Sequence, residues 1–371
     1  MRVLMTCGGT GGHINPAIAI ANIIKNNQPG SEIVFVGTKH GKERELVPRE
    51  GYEIRFVESQ GIRRSLSPAN IKALFLAVIS PLKARKIIRE FHPDVVIGTG
   101  GYACWPLLKA AADLGVPCAV HESNAVPGMA VKRLQGYVDE IMTNFEKTKD
   151  YLKKKNKVVR VGNPLRSAFG CMEKSSARKK LGIPAETPFV LSYGGSGGAE
   201  FLNETMVLMM KEYAMLHPDV RILHAAGSRD FEKTKARFHA LSLDSCPNLE
   251  LKDYIYDMPA YMAAADLVIC RAGAMTISEL AMMGKASILI PSPNVVDNHQ
   301  YKNAKVLADA GATCLLEESE LTAEKLWEKI GQILGDGAVR RDMEQAVKKF
   351  ADPDAGKRVY GEILKLVQKA D

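Results

Sequence analysis

His13 stands directly after the glycine loop Cys7-Gly-Gly-Thr-Gly-Gly12, at the expected start of a helix and beside Ile14-Asn-Pro16. With an ordinary pKa of about 6.5, a histidine at the mouth of a cleft can act as general base or as hydrogen-bond donor. A purely structural histidine is the plainer alternative. Two further loops point to the same side: Gly98-Thr-Gly-Gly-Tyr102 after the apolar run 94–97, and His121-Glu-Ser-Asn124 after the run 117–120. His121, Glu122 and Asn124 are candidates for gripping an acceptor, and strand-end capping would also explain them.

The second half has residue types suited to a diphosphate and a sugar. Asp266-Leu-Val-Ile-Cys-Arg-Ala-Gly-Ala-Met-Thr-Ile-Ser-Glu279 reads as a strand, a short glycine turn and a helix opening between Ala274 and Thr276. The N–H groups at a helix N-terminus form an anion site, which would place a diphosphate there and Glu279 on the two ribose hydroxyls. Thr276 and Glu279 also have the spacing of a capping box, which needs no ligand. After the next strand, Asp297, Asn298, His299 and Gln300 bring donors and acceptors for a sugar to one strand end, with Asp297 or Asn298 as a helix N-cap. In open α/β sheets ligands lie outside the carboxyl ends of the strands, where all of these segments fall.

The elements that must position these residues occur twice. Cys7-Gly-Gly-Thr-Gly-Gly12 follows the apolar run 2–6, and Tyr193-Gly-Gly-Ser-Gly-Gly198 follows 189–192. Glycine has no Cβ, so such loops let backbone N–H groups approach a phosphate or sugar. Along the chain, β-rich runs at 32–36, 94–97, 117–120, 157–161, 220–224, 266–270 and 286–290 alternate with helical patterns, which means βα units and parallel sheets. A chain of 371 residues suits two such domains. The expectation is an α/β protein of two nucleotide-fold domains facing one cleft, 1–163 and 164–350. The hinge falls near Arg160-Val-Gly-Asn-Pro-Leu-Arg166, and a polar segment leads on to about Pro188. A last helix, within 351–371, starts at Asp352-Pro353, carries the stripe Tyr360, Ile363, Leu364 and Val367, and packs across the cleft or back onto the first half.

Other classes are disfavoured. Seven scattered cysteines with no C-x-x-C pair indicate neither a disulfide framework nor a zinc site, and a reducing cytosol is the natural compartment. No stretch has the roughly 18 consecutive apolar residues of a spanning helix, and the N-terminus lacks the shape of a signal peptide. Gly98-x-Gly100-x-x-Ala103 fits the loose dinucleotide pattern, but neither duplicated loop is G-x-G-x-x-G and no Walker A lysine follows one. No D-x-D motif stands at a strand end, so neither a metal nor a cofactor is expected. Residues 1–160 hold 24 Lys and Arg against 14 Asp and Glu, whereas 161–371 hold 26 against 28. An anionic partner for the first half follows, a membrane surface rather than nucleic acid, since no nucleic-acid motif is present.

Taken in order, Gly8-Gly-Thr-Gly-Gly-His13, Thr99-Gly-Gly101, His121-Glu122-x-Asn124, Gly162-Asn-Pro-x-Arg166, Gly194-Gly-Ser196 and Arg271-x-Gly-Ala-x-Thr276 with Glu279 resemble the MurG family, N-acetylglucosaminyltransferases of bacterial peptidoglycan synthesis. The resemblance covers almost the whole chain. It implies a GT-B fold and inverting transfer of GlcNAc from UDP-GlcNAc to the C4 hydroxyl of the muramoyl sugar of lipid I, giving lipid II and UDP. It also implies roles. Thr10, Gly11, Gly12, Arg166, Ser196 and the turn Gly273, Ala274, Met275, Thr276 lie by the phosphates or the cleft. Glu279 takes the ribose, Ile255 the uracil through its backbone, and Gln300 the GlcNAc hydroxyls. His13, Gly100, Gly101, Tyr102, Glu122 and Asn124 face the acceptor, with His13 as first candidate base and Glu122 as second. The helix start near Thr276, with Arg166, would do a metal's work on the leaving diphosphate. The sequence departs from the family at Gly197, usually Gln, and at His299, the first of a usual Gln-Gln pair. Another lipid-directed GT-B transferase, a UDP-sugar epimerase or a non-catalytic nucleotide-sugar binding subunit are the alternatives.

An undecaprenyl-linked acceptor requires work at the cytoplasmic face of the cell membrane, as a peripheral protein. Ile71, Leu74, Phe75, Val78, Ile79 and Leu82 form an apolar cluster at helical spacing, interrupted at Ser80-Pro81 and flanked by Lys72, Lys83, Arg85, Lys86 and Arg89. Such a patch docks on anionic lipid, and an ordinary core helix is the alternative.

Overall fold

The computed structural model describes residues 1–59, 68–295 and 298–369, with the backbone alone over 68–78. Contacts divide the chain into two units, Met1–Arg166 with Asp352–Asp371, and Ser167–Ala351. Arg166, the last residue of the first stretch, is ion-paired to Glu50 of the same unit at 3.3 Å.

The first unit carries the strands β1 (Arg2–Thr6), β2 (Glu32–Gly37), β3 (Glu53–Phe56), β4 (Val95–Gly98), β5 (Cys118–Glu122), β6 (Glu140–Thr143) and β7 (Val158–Arg160). They form one sheet in the order β3-β2-β1-β4-β5-β6-β7. Each described pair is parallel. Both faces are covered, as the near-continuous apolar runs require. Along β1, Val3 and Met5 join one core cluster with Ile14, Ile18, Val359 and Ile363, and Leu4 joins another with Val34, Leu107 and Leu108.

The second unit carries β8 (Phe189–Tyr193), β9 (Arg221–Ala225), β10 (Leu249–Lys252), β11 (Leu267–Cys270), β12 (Ser287–Leu289) and β13 (Cys314–Leu315), in the order β10-β9-β8-β11-β12-β13. In each sheet the strand order reverses beside the first strand, between β1 and β4 and between β8 and β11. That is where the strand ends splay apart and leave room for a ligand. The glycine loops follow β1 and β8, so the duplicated motif stands at both switch points.

Local expectations change in four places. The polar segment before Pro188 contains a helix, Lys174–Leu181, fastened by the buried Arg178 to Asp266 and to the carbonyl groups of Ala264, Pro184 and Thr187. The last helix starts at Ala355 rather than at Asp352-Pro353, because the Asp352 carboxylate is taken by Arg358. Its buried face is Ala355, Val359, Ile363 and Leu366, one step round from the expected stripe, and it packs against the helix Gly11–Asn27. The helix Pro68–Phe91 runs through Ser80-Pro81 without interruption. Of its expected lipid-facing residues, Ile71, Leu74, Phe75 and Val78 lie outside the residues with described side chains. Ile79 is half-buried and Leu82 is 59% exposed. Among the described residues no helix is long and apolar enough to cross a membrane.

Candidate functional site

In the first unit β1 ends at Thr6, and the chain turns through Cys7–Thr10 into the helix Gly11–Asn27. Gly9 makes the turn with φ +89°, in the left-handed region that only glycine enters freely. Thr10 is the N-cap residue without a side-chain cap, and no acidic side chain occupies the first turn, so the helix opens with its positive dipole end unopposed around Gly11 and Gly12. The loop after β4 lies against this one. A Cβ on Gly101 would stand 2.2 Å from the Gly8 carbonyl oxygen, and one on Gly100 would stand 2.5 Å from His13 Nδ1.

His13 is half-buried and its ring has one defined partner. Nδ1 lies 3.0 Å from the Thr99 carbonyl oxygen, which can only accept, so the hydrogen is on Nδ1 and, in the neutral ring, Nε2 carries the lone pair. A proton acceptor is therefore aimed away from the loop. Tyr102 is 56% exposed on the same rim. Glu122 is buried, with Oε1 accepting from the Asn124 N–H at 2.9 Å and the Asn124 side-chain amide at 3.0 Å, and Oε2 from the Gly128 N–H at 2.8 Å. Its carboxylate thus clamps the loop 122–128. Three donors already occupy the group that was the second candidate base.

His121 has no surface to offer an acceptor. It is fully buried, its Nε2–H donates to the Gly162 carbonyl at 2.8 Å, and burial pushes its pKa down to about 4. Arg166 pairs with Glu50 within the first unit.

In the second unit the loop after β8 uses Gly195 at φ +95° and Gly198 at φ +88°. Gly198 packs under the loop after β9, where a Cβ would stand 2.3 Å from the Ala226 carbonyl oxygen. A buried polar chain holds this arrangement. Ala226 O accepts from Asn203 Nδ2 at 2.9 Å, Asn203 Oδ1 from His224 Nε2–H at 3.0 Å, and His224 Nδ1 from the Ser192 hydroxyl at 3.0 Å. Ser196 sits half-buried at the crest of the loop.

The turn after β11 decides between the two readings of Thr276 and Glu279. The helix runs Ala274–Met283 with Gly273 as N-cap in extended conformation and no side-chain cap. Thr276 is its third residue and Glu279 its sixth, one turn too deep for a capping box. The helix thus starts at Gly273 without a capping side chain, and Glu279, only 7% exposed, lies one turn further in. Arg271 is anchored beside the turn by Ile290 O at 3.1 Å and by Glu318. Ile255 is buried in the loop after β10. Gln300, in the first turn of the helix His299–Asp309, accepts the Ser292 N–H through Oε1 at 2.9 Å, which turns its NH₂ group outward from that bond. Asn298 is the N-cap at φ 49°, and Asp297 lies outside the described residues. A cavity of about 360 Å³ adjoins this loop, lined by Pro291, Pro293, Asn298, Tyr301, Glu317 and Glu318.

Sequence reasoning missed Glu43, the Asn203–His224–Ser192 chain and the Arg178–Asp266 clamp. Each ties separate segments together through side-chain hydrogen bonds, which leave no periodic signal in the chain. Among the described residues no three His, Cys, Asp or Glu side chains converge on a point that could hold a metal.

The glycosyltransferase family 28 N-terminal domain matches residues 3–143, and the glycosyltransferase family 28 C-terminal domain matches residues 189–359. The chain is 43% identical over 360 residues to the UDP-N-acetylglucosamine--N-acetylmuramyl-(pentapeptide) pyrophosphoryl-undecaprenol N-acetylglucosamine transferase of Thermoanaerobacter sp. (strain X514), covering 97% of this chain and 98% of the relative. Among solved structures it is similar to Acinetobacter baumannii MurG, with 30% identity and a TM-score of 0.69 over 99% of each chain. It is also similar to the UDP-GlcNAc 2-epimerase from Neisseria meningitidis bound to UDP-GlcNAc, with a TM-score of 0.68 over 98% of this chain and 100% of that one. At 16% identity that likeness is one of fold alone.

Proposed function

We propose, because this chain belongs to the MurG family within glycosyltransferase family 28, that it is a GT-B N-acetylglucosaminyltransferase carrying GlcNAc from UDP-GlcNAc to the C4 hydroxyl of undecaprenyl-pyrophosphoryl-MurNAc-pentapeptide, lipid I. The products are lipid II and UDP, and the step serves peptidoglycan synthesis. The observation that carries this reading is the 43% identity maintained across 97% of the chain to a relative bearing that activity in its name.

This reading assigns the chemistry to the two switch points. His13 Nε2 takes the proton of the acceptor C4 hydroxyl as its oxygen attacks the anomeric carbon, the bond from that carbon to the β-phosphate oxygen breaks, and configuration inverts. UDP leaves with the added negative charge. The N-terminus of Ala274–Met283 meets that charge with the positive end of the helix dipole. Glu279 takes the ribose hydroxyls, the Ile255 backbone the uracil, and Gln300 the GlcNAc hydroxyls, with Ser196, Thr10, Gly11 and Gly12 near the phosphates. Gly100, Gly101, Tyr102 and Asn124 line the acceptor side beside His13. Glu122 supports that side by shaping the loop. Arg166 acts from its pairing with Glu50 to hold the end of the first unit.

The acceptor's lipid places the enzyme peripherally on the cytoplasmic face of the cell membrane, with the first half of Pro68–Phe91 and its basic flank against anionic headgroups. Replacing Leu74, Phe75 and Ile79 by polar residues should weaken vesicle binding and leave UDP-GlcNAc binding intact; loss of folding would assign the patch to the core.

The direct test is UDP release from UDP-GlcNAc with and without a short-chain lipid I analogue, with the product weighed. Release that depends on the acceptor and adds one HexNAc establishes the transfer. Release without acceptor indicates hydrolysis or epimerase-like chemistry, and tight UDP binding without release indicates a binding subunit.

A further inference from the structure

Glu43 is fully buried beneath the first glycine loop, a place where an apolar side chain would be cheaper. Its carboxylate has three donors. Oε1 accepts the Thr38 N–H at 2.9 Å and the Thr38 hydroxyl at 2.8 Å, and Oε2 accepts the Gly9 N–H at 3.1 Å. Two segments far apart in sequence, the end of β2 and the turn after β1, are thereby tied to one group.

The surroundings are shaped around that group. Gly37 leaves no room for a Cβ, which would stand 2.6 Å from Glu43 Cγ, and a Cβ on Gly41 would overlap the carboxylate itself. Glycine at both positions is the condition for seating the carboxylate here. Its negative charge also reaches the thiols of Cys7 and Cys104, which burial already keeps neutral, that of Cys104 pushed up to about 12.

The bond from Gly9 has a consequence for ligand binding. Gly9 is the left-handed residue of the turn, and its N–H, spent on Glu43, is not offered to a substrate oxygen. The helix Gly11–Asn27, from whose first turn His13 projects, begins two residues after Gly9.

We propose that Glu43 is a positioning residue for the acceptor side of the reaction: by fixing Gly9 against Thr38 it sets the turn Cys7–Thr10 and hence the direction in which His13 presents Nε2. This rests on the reading of His13 as the base. Buried charge costs stability unless every lone pair is served, and here it is placed under the one turn whose geometry the chemistry uses.

Glu43→Gln tests it. The variant keeps the shape, but its NH₂ must face either the Gly9 N–H or the Thr38 donors, so one anchor becomes a repulsion. With the lipid I analogue, kcat should fall about 10–100-fold, the scale of misplacing a catalytic group by about 1 Å, while the Kd for UDP stays within about twofold. In ¹⁵N spectra the His13 ring should lose the single Nδ1–H tautomer of the wild type. A folded Glu43→Gln protein with kcat within about twofold and the same His13 spectrum would overturn the proposal. If Glu43→Gln does not fold, Thr38→Val removes only the hydroxyl donor. A drop in kcat of roughly threefold, with UDP affinity kept, supports the proposal, and an unchanged kcat overturns it. His13→Ala separates the two levels: normal turnover in that variant overturns the base reading, and Glu43 is then judged on the His13 ring spectrum alone.

Discussion

His13 and Thr99 hold each other twice across the switch point of the first sheet: the His13 ring donates from Nδ1 to the Thr99 carbonyl at 3.0 Å, and the Thr99 hydroxyl donates to the His13 carbonyl at 2.7 Å. The ring cannot rotate without breaking the first bond, and the helix start cannot shift without breaking the second. The pair fixes both the tautomer and the position of the candidate base. His13→Ala should lower kcat by about 10²–10⁴-fold, the usual yield of a positioned base, with UDP affinity unaltered. Near-normal kcat at saturating acceptor would remove His13 from the chemistry.

Glu279 makes a separable prediction on the donor. If its carboxylate accepts the two ribose hydroxyls, Glu279→Gln loses charge-assisted bonds, and the KM for UDP-GlcNAc should rise about tenfold or somewhat more, with kcat at saturating donor nearly kept. A donor lacking the ribose hydroxyls decides the matter. It should bind poorly to the wild type and about equally well to both proteins if Glu279 reads the ribose. Discrimination that persists in the variant would place the ribose elsewhere.

Much of this was legible in the residues, and the parts that were not share a physical cause. Strand runs such as 94–97, followed by Gly98, and 266–270, followed by the turn Arg271-Ala-Gly273, mark βα units because burial on both faces needs continuous apolar sequence. The uncapped helix start at Gly273 was legible only as one of two alternatives, since Thr276 and Glu279 have the same spacing whether the helix begins at Ala274 or three residues later. Of the stripe expected on the last helix, Ile363 is in the core and Tyr360 and Val367 pack half-buried against it, while Val359 takes the central place beside Val3 and Ile14. Lys174–Leu181 is polar enough to read as a linker. It is a helix because Arg178 reaches Asp266, a bond spanning 88 positions that no local pattern announces. Glu43 was missed for the same reason.

Two buried histidines, one in each unit, make the protein sensitive to acid. Burial pushes His121 down to about 4 and His224 down to about 3, against about 6.5 in the unfolded chain. Between those values the unfolded chain binds protons that the native units refuse, so stability is full above about pH 6.5 and is lost as pH falls. Each group contributes a slope of at most about 1.4 kcal/mol per pH unit. Urea unfolding at pH 7 and pH 5 measures it. His224→Gln should shallow the loss in the second unit and His121→Gln in the first, and identical slopes in wild type and variants would refute the assignment.

Glu140 acts in the opposite direction. It begins β6, nearly buried, facing Glu362 of the helix Ala355–Gln368, whose carboxylate pairs with Lys365 at 2.8 Å. Burial chiefly, and the Glu362 charge with it, raise Glu140 to about 7, while Lys365 and Lys369 oppose the shift. Because the native state keeps a proton that the unfolded chain releases near 4.5, stability contributed here is present below about pH 4.5 and is lost as pH rises through about 7. Between pH 4.5 and 6.5 this offsets part of the acid loss from His121 in the same unit, and above pH 7 it persists as a cost of ionisation. Glu140→Gln keeps the protonated shape and removes that cost, so it should be more stable than wild type at pH 8 by roughly 1–3 kcal/mol, a gain that disappears near pH 5. Thermal melts at the two pH values check it. An equal difference at both would mean that Glu140 and Glu362 do not share a proton, and that the last helix is held on the first unit by the packing of Val359, Ile363 and Leu366 and by the bond from Arg358 to the Val161 carbonyl.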